Sequence, residues 1–202
     1  QMIKNLELSY SDHKVIYNYC KKKKIDFLST PYDVESAKFL KKLGVKIFKT
    51  ASADLIDYNL HNYLAKIKKP VIISTGMSSI KDIKKTLNLY KKRKNLNISL
   101  LHCVSNYPCS LKSINLNAIQ SLKKLKFVVG YSDHSNDNLA SCLAVGAGSK
   151  IIEKHFTLNK NLKGPDHKAS CDPKELKNLI KEIRKAELIM GKNTKKIQTE
   201  EL

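Results

Sequence analysis

Two histidines stand at the ends of short apolar runs, where side chains that do chemistry can be held on rigid backbone. Phe127-Val128-Val129 leads into Gly130-Tyr131-Ser132-Asp133-His134-Ser135, and Ile151-Ile152 leads into Glu153-Lys154-His155-Phe156. Each histidine therefore falls where a buried strand meets its loop. Taken singly, each ring reads equally as a core histidine satisfied by a backbone carbonyl. Taken together, imidazoles on successive strand ends can share one ion, with Asp133 and Glu153 near enough to act as outer partners that orient the rings. Gly164-Pro165-Asp166-His167 adds a carboxylate on a stiff turn in the following loop. The chemistry such a set can do is metal-assisted polarisation of an oxygen.

A second group suits an anion. Lys49, between Phe48 and Thr50 in the last turn of an apolar strand, gains nothing apolar there, and Ser52 follows close behind. Thr75-Gly76-Met77-Ser78 comes after another apolar strand and before a helix, so its amides can hold a phosphate against the helix dipole. Ordinary helix capping is the stronger reading of that tetrapeptide. His102 and Cys103 are adjacent on a strand and must face opposite ways, which makes Cys103 a core residue rather than half of a nucleophile pair. Tyr107, in the turn Asn106-Tyr107-Pro108, either packs beneath its loop or offers its hydroxyl to a ligand.

The elements that must carry these residues alternate regularly. A helix over Glu7 to Lys24, with Ser11 as its cap, opens the chain without a strand before it. Strands are then expected at Ile25 to Thr30, Val45 to Thr50, Pro70 to Ser74, Ile98 to His102, Phe127 to Val129 and Ile151 to Phe156. Helices are expected between them and in a long closing segment from Pro173 to Ile189, where the proline suits the first turn. Strand-helix alternation means a parallel sheet, and the polar residues gather after the strands, at their carboxyl ends. Functional residues on six successive strands favour a closed barrel over an open sheet, because every loop then looks into one mouth. The expected fold is thus a TIM-type (β/α) barrel with six strand-helix units where eight close a barrel, incomplete by an N-terminal strand-helix-strand portion.

Composition narrows the setting. The chain has 202 residues, 42% of them hydrophobic, enough for one core, read as a single partial-barrel domain over residues 1–192 with a tail over 193–202. A formal charge of +20 invites a polyanion partner, yet the lysines fall on polar helix faces, no aromatics interleave with them, and no nucleic-acid motif is present. Five cysteines without a CxxC pair read as reduced thiols. No signal pattern opens the chain and no apolar run nears the roughly 20 residues of a membrane span. A cytoplasmic protein binding neither nucleic acid nor membrane is expected.

Several of these stretches, in the same order throughout, resemble the N-acetylneuraminate synthase family and its pseudaminic and legionaminic acid synthase relatives. They are Ile73-Ser74-Thr75-Gly76-Met77-Ser78, Leu101-His102-Cys103 with Tyr107-Pro108, Gly130-Tyr131-Ser132-Asp133-His134, Glu153-Lys154-His155-Phe156-Thr157, and Gly164-Pro165-Asp166-His167 with Ser170. The resemblance runs from about Leu8 to Gly191. It implies a TIM barrel that condenses phosphoenolpyruvate with the aldehyde form of an N-acylated hexosamine, giving a nine-carbon 2-keto acid and phosphate. It also implies that His134 and His155 bind a divalent metal, typically manganese, with magnesium or cobalt as alternatives. Thr30, Lys49, Ser52, Ser74 and Ser132 match positions that hold phosphoenolpyruvate, and Tyr107 matches a further site tyrosine. Ser105 falls where members carry asparagine or serine. Asp166 matches an acid that contacts the sugar hydroxyls and is counted with the two histidines as catalytic. Asp54 falls where many members carry the longer glutamate.

Family members also carry two strands ahead of the matched region, bearing a glutamate and a further lysine, and a small antifreeze-like domain after it that reaches the partner's site in a homodimer. Neither has a counterpart in these 202 residues, and the isolated chain is accordingly expected to be inactive. The competing reading from another class is a non-catalytic barrel remnant that binds anionic ligands or a partner. An aldolase is a further alternative, but it needs a Schiff-base lysine and leaves the histidine pair unexplained.

Overall fold

Four polar side chains decide where the main helices begin. Ser9 caps α1 (Tyr10–Lys22) in a capping box with Asp12, Asp33 caps α2 (Val34–Leu43), Ser79 and Asp82 form the box of α4 (Ile80–Lys92), and Asp172 and Glu175 form that of α8 (Pro173–Met190). Each returns hydrogen bonds to first-turn amides that have no partner inside the helix. The cap of α1 is thus Ser9 and not Ser11. The computed structural model describes residues 7–201. Its remaining elements are β1 (Phe48–Thr50), α3 (Tyr58–Ile67), β2 (Val71–Ser74), β3 (Ile98–His102), α5 (Leu111–Ile114), α6 (Ala118–Lys123), β4 (Val128–Asp133), α7 (Leu139–Gly146) and β5 (Ile152–Lys154).

Two compact units divide the chain, one of Gln1–His102 with Leu122–Val128 and the other of Cys103–Ser121 with Val129–Leu202. In the first, β1, β2 and β3 pair in parallel and in chain order, with Phe48 opposite Val71 and Ser74 opposite Leu101. Phe48, Leu60, Leu64, Ile73 and Leu100 are its fully buried centre. Strand alternation buries Phe48 and Thr50 and leaves Lys49 between them half-buried on the opposite side. In the second unit β4 and β5 pair in parallel, with Ser132 opposite Glu153 and Asp133 opposite Lys154. Helix α7 packs on α8, and Phe156 makes an isolated parallel bridge to Cys171. Parallel strands paired in chain order and alternating with helices make an α/β chain of incomplete TIM-barrel type.

Five strands are present among the described residues where six were expected. Residues 25–30 form no strand. Ile25 and Leu28 are 64% and 39% exposed, and the segment is held by side chains. The Phe27 ring packs edge-on against His13 and Tyr17 of α1, and Lys46 pairs with Asp26. An apolar, β-branched run becomes a strand only when a neighbour takes up its backbone groups. All five cysteines are free thiols, and Cys103 is buried as expected. No helix among the described residues is long and apolar enough to cross a membrane. The tail expected over residues 193–202 is exposed, with one short turn at Thr199–Glu201, and Leu202 lies outside the described residues.

Deep in the first unit, His61 of α3 is fully buried and its Nδ1 lies 2.7 Å from the Tyr90 hydroxyl of α4. Burial holds its pKa down to about 4, against weaker opposing effects of the Asp54 backbone and the Asp57 charge. The unfolded chain therefore binds a proton that the folded chain refuses between roughly pH 6.5 and 4. Stability is complete above that window and is lost as pH falls through it, by on the order of 3 kcal/mol. The urea midpoint is expected to drop between pH 7 and 4, and His61→Phe to flatten that drop; parallel slopes for the two proteins would remove His61 as the cause.

Candidate active site

In the first unit Lys49 and Ser74 meet at the ends of β1 and β2. The lysine ammonium, at the end of β1, donates to Ser74 Oγ at 2.7 Å and to the Thr50 carbonyl at 3.1 Å. Ser74 ends β2 and is buried. Ile72 is the register partner of Lys49, so Ser74 is the diagonal neighbour that a long side chain reaches. Ser52 Oγ accepts from the Gly76 amide at 3.0 Å, joining the loop after β1 to the loop after β2. The tetrapeptide Thr75–Ser78, read first as helix capping and second as a phosphate cradle, bonds within its own unit: Thr75 Oγ1 donates to the Leu101 carbonyl, Ser78 Oγ donates to the Gly76 carbonyl, and the cap of α4 is the next residue, Ser79. Asp54 is half-buried in the short turn Ser52–Ile56, and its Oδ2 is enclosed without a hydrogen-bond partner. Burial pushes the Asp54 carboxyl above the usual carboxylate range. Thr30 lies half-buried at the end of the unpaired extended segment.

In the second unit three rings meet. His134 and His155 follow the last residues of β4 and β5, and their ring centroids are 5.5 Å apart in an edge-on arrangement. Tyr107 covers both, 4.1 Å from His134 and 5.2 Å from His155. The tyrosine, open between two roles in the sequence, packs on the histidine pair while remaining 47% exposed. Its loop is pinned from both sides: the Cys109 amide donates to the His134 carbonyl at 2.8 Å, and His134 Nδ1 lies 2.6 Å from the Val104 carbonyl. Ser105 is half-buried in the same loop. Asp166 is exposed, with Oδ2 3.8 Å from His155 Nδ1. Its turn depends on Gly164, where φ is +153° and an added Cβ would come within 2.8 Å of the His167 ring.

The hydrogen bonds fix the tautomer of His134. A carbonyl oxygen only accepts, so Nδ1 carries the proton. Burial lowers the pKa of the ring, with the neighbouring His155 acting in the same direction, so the ring is neutral and Nε2 has a lone pair. Ser132 Oγ lies 3.3 Å from that Nε2 and donates its one proton to Glu153 Oε1 at 2.6 Å. With the Ser132 proton on Glu153, the Nε2 lone pair of His134 is left to accept from, or to bind, another group. This donor set fits a divalent ion held by two imidazoles. No group of three or more His, Cys, Asp or Glu side chains placed for a metal occurs among the described residues.

The two carboxylates expected behind the histidines divide. Glu153 reaches His134 through Ser132. Asp133 instead points to the other side of β4, where it accepts from Ser141 Oγ at 2.6 Å and pairs with Lys154 at 3.0 Å. Alternation along the strand requires this, since neighbours cannot share a face. Lys154 and Ser141 are the polar residues that the sequence did not single out, and the pairing of Asp133 with Lys154 follows from strand register, which no local pattern states.

A model of the NeuB family matches residues 1–195 of this chain. N,N'-diacetyllegionaminic acid synthase of Campylobacter jejuni is 46% identical over 204 residues, covering 100% of this chain and 61% of that protein. Human N-acetylneuraminate-9-phosphate synthase is 34% identical, covering 96% of this chain and 54% of its own length. The chain thus spans between half and two-thirds of the length of these relatives. Among solved structures, an N-acetylneuraminic acid (sialic acid) synthetase from Leptospira borgpetersenii in complex with citrate superposes with a TM-score of 0.95 at 38% identity, covering 99% of this chain and 70% of that one.

Proposed function

This chain belongs to the NeuB family, and on that footing we propose that its protein condenses phosphoenolpyruvate with the open-chain aldehyde of an N-acylated hexosamine. The products are a nine-carbon 2-keto sugar acid and inorganic phosphate. The observation that carries the reading is the ring cluster of Tyr107, His134 and His155, with an Nε2 on His134 to which Ser132 gives no proton because it donates to Glu153. A divalent metal such as manganese, bound there by His134 and His155, supplies Lewis acidity to the aldehyde oxygen.

The chain's own residues account for the rest. In the first unit Lys49, Ser52, Ser74 and Thr30 offer an ammonium and hydroxyls to the phosphate and carboxylate of phosphoenolpyruvate, Lys49 with a charge that Ser74 aims. Asp54, in the turn that follows β1, offers its carboxyl to a sugar hydroxyl. Asp166 holds further sugar hydroxyls, Ser105 lines the pocket, and Tyr107 excludes water from the histidine face. The methylene carbon of phosphoenolpyruvate forms a bond to the aldehyde carbon with the electron pair of its C=C bond, and the aldehyde oxygen takes up a proton. Water adds at the cationic centre left on the former enol, and cleavage of the C–O bond expels phosphate. Within this reading the protein works as a homodimer.

The test is release of inorganic phosphate by the intact protein supplied with manganese, phosphoenolpyruvate and an N-acylated hexosamine. N-acetylmannosamine, its 6-phosphate and a diacetamido-dideoxy sugar are compared in separate arms. Turnover in one arm, abolished by a chelator and restored by manganese, is expected. Phosphate release in none of them, from protein that is folded and metal-loaded, would overturn the proposal.

A further inference from the structure

Resting on the metal-site reading above, we propose that the buried Asp133–Lys154 ion pair is the positioning device that sets the two histidines side by side. These two side chains are 0% and 4% exposed, and they are register partners on the last rung between β4 and β5. The next residue on each strand is a histidine. The rung before is Ser132 opposite Glu153, itself bonded at 2.6 Å on the histidine side. Consecutive rungs are therefore tied on opposite faces, one by Ser132 and Glu153, the other by Asp133 and Lys154.

Every hydrogen-bonding capacity of the pair is taken up. Asp133 Oδ1 accepts from the Ser135 amide at 2.8 Å and from the Tyr131 hydroxyl at 3.3 Å, and Oδ2 accepts from Ser141 and from Lys154. Lys154 spends its other two protons on the carbonyls of Ser135 and Asp137, in the loop just past His134. One ammonium on β5 thus grips the end of β4 and the loop beyond His134, while Ser141 fastens the carboxylate to α7. A buried ion pair gives little net stability over an apolar pair of the same size, so its value here is specificity of register. A slip of one residue would turn one histidine to the opposite face and separate the imidazoles. Because Asp133 and Lys154 lie on the face away from the rings, they act through backbone placement and do not touch substrate.

The test uses Lys154→Met, Asp133→Asn and the milder Ser141→Ala in the intact protein, with two readouts that do not depend on turnover. One is the set of ring-to-ring nuclear Overhauser contacts among Tyr107, His134 and His155; the other is manganese affinity by electron paramagnetic resonance. Lys154→Met and Asp133→Asn are expected to erase the His134–His155 contact and to weaken manganese binding by about 10- to 100-fold, the range for groups that orient ligands. Ser141→Ala is expected to give the same change in smaller degree. Should Lys154→Met and Asp133→Asn fail to fold, Ser141→Ala decides: unchanged ring contacts and unchanged affinity overturn the proposal. Folded Lys154→Met with wild-type contacts overturns it equally. Wild-type protein that shows the ring contacts but binds no manganese would sink the metal reading alone, and loss of contacts in Lys154→Met would still uphold the positioning role.

Discussion

Replacing His155 by alanine is expected to lower kcat/KM by at least about 1,000-fold, some 4 kcal/mol of transition-state stabilisation, with the fold intact. The ring is partly open to solvent and lies against Tyr107 and His134 without carrying the core. Its removal deletes one of the two nitrogen ligands proposed for the metal and leaves no buried polar group behind. His134→Ala should lose as much activity but also about 1 to 3 kcal/mol of stability, because the Val104 carbonyl would lose the donor that lies 2.6 Å from it. Metal content by mass spectrometry, circular dichroism and phosphate release, measured together, separate the two effects. Both variants retaining activity and metal would show that the pair is an ordinary set of packed histidines.

The second large effect concerns Lys49. Its ammonium donates to Ser74 Oγ and to the Thr50 carbonyl, a setting that aims a charge at an anion. Truncating one partner of a desolvated charge contact costs about 2 to 5 kcal/mol, so Lys49→Ala should weaken use of phosphoenolpyruvate by about 30-fold to several thousand-fold. Arginine should restore part of that loss. A Schiff-base lysine behaves differently: arginine cannot replace it, and borohydride traps an adduct. Mass spectrometry of the enzyme reduced with borohydride in the presence of phosphoenolpyruvate is expected to find Lys49 unmodified, and an adduct there would return the aldolase reading.

Helix starts and buried strands were legible where local chemistry decides them. Pro173 marks the start of α8, found at Pro173–Met190 where Pro173 to Ile189 was expected, and β3 spans Ile98–His102 as expected. Helix ends were legible too, α1 and α8 closing within two residues of expectation, although several positions that usually take glycine carry lysine. Lys68 closes α3 in the left-handed region at φ +53°, and Lys24, Lys94 and Lys126 take similar values. The stretch Ile25 to Thr30 has strand composition but no ladder, and pairing is not a local property. In the candidate site, residue types at strand ends pointed to Lys49, His134 and His155, and the structure places the two histidine rings side by side. What those residues touch depends on register: Ser74 lies diagonal to Lys49, and Lys154 stands opposite Asp133.

The interleaving of the two compact units bears on the order in which the protein can be made. Leu122–Val128 belongs with Gln1–His102, while the intervening Cys103–Ser121 belongs to the other unit. A growing chain therefore cannot finish its first unit when His102 leaves the ribosome; it must wait for the buried side chain of Leu122 and the half-buried ring of Phe127. Domains generally fold as contiguous units during synthesis, N-terminal part first. Here a cut between His102 and Cys103 would leave the first unit without Leu122, part of its own core, and burden the other unit with a segment that belongs elsewhere.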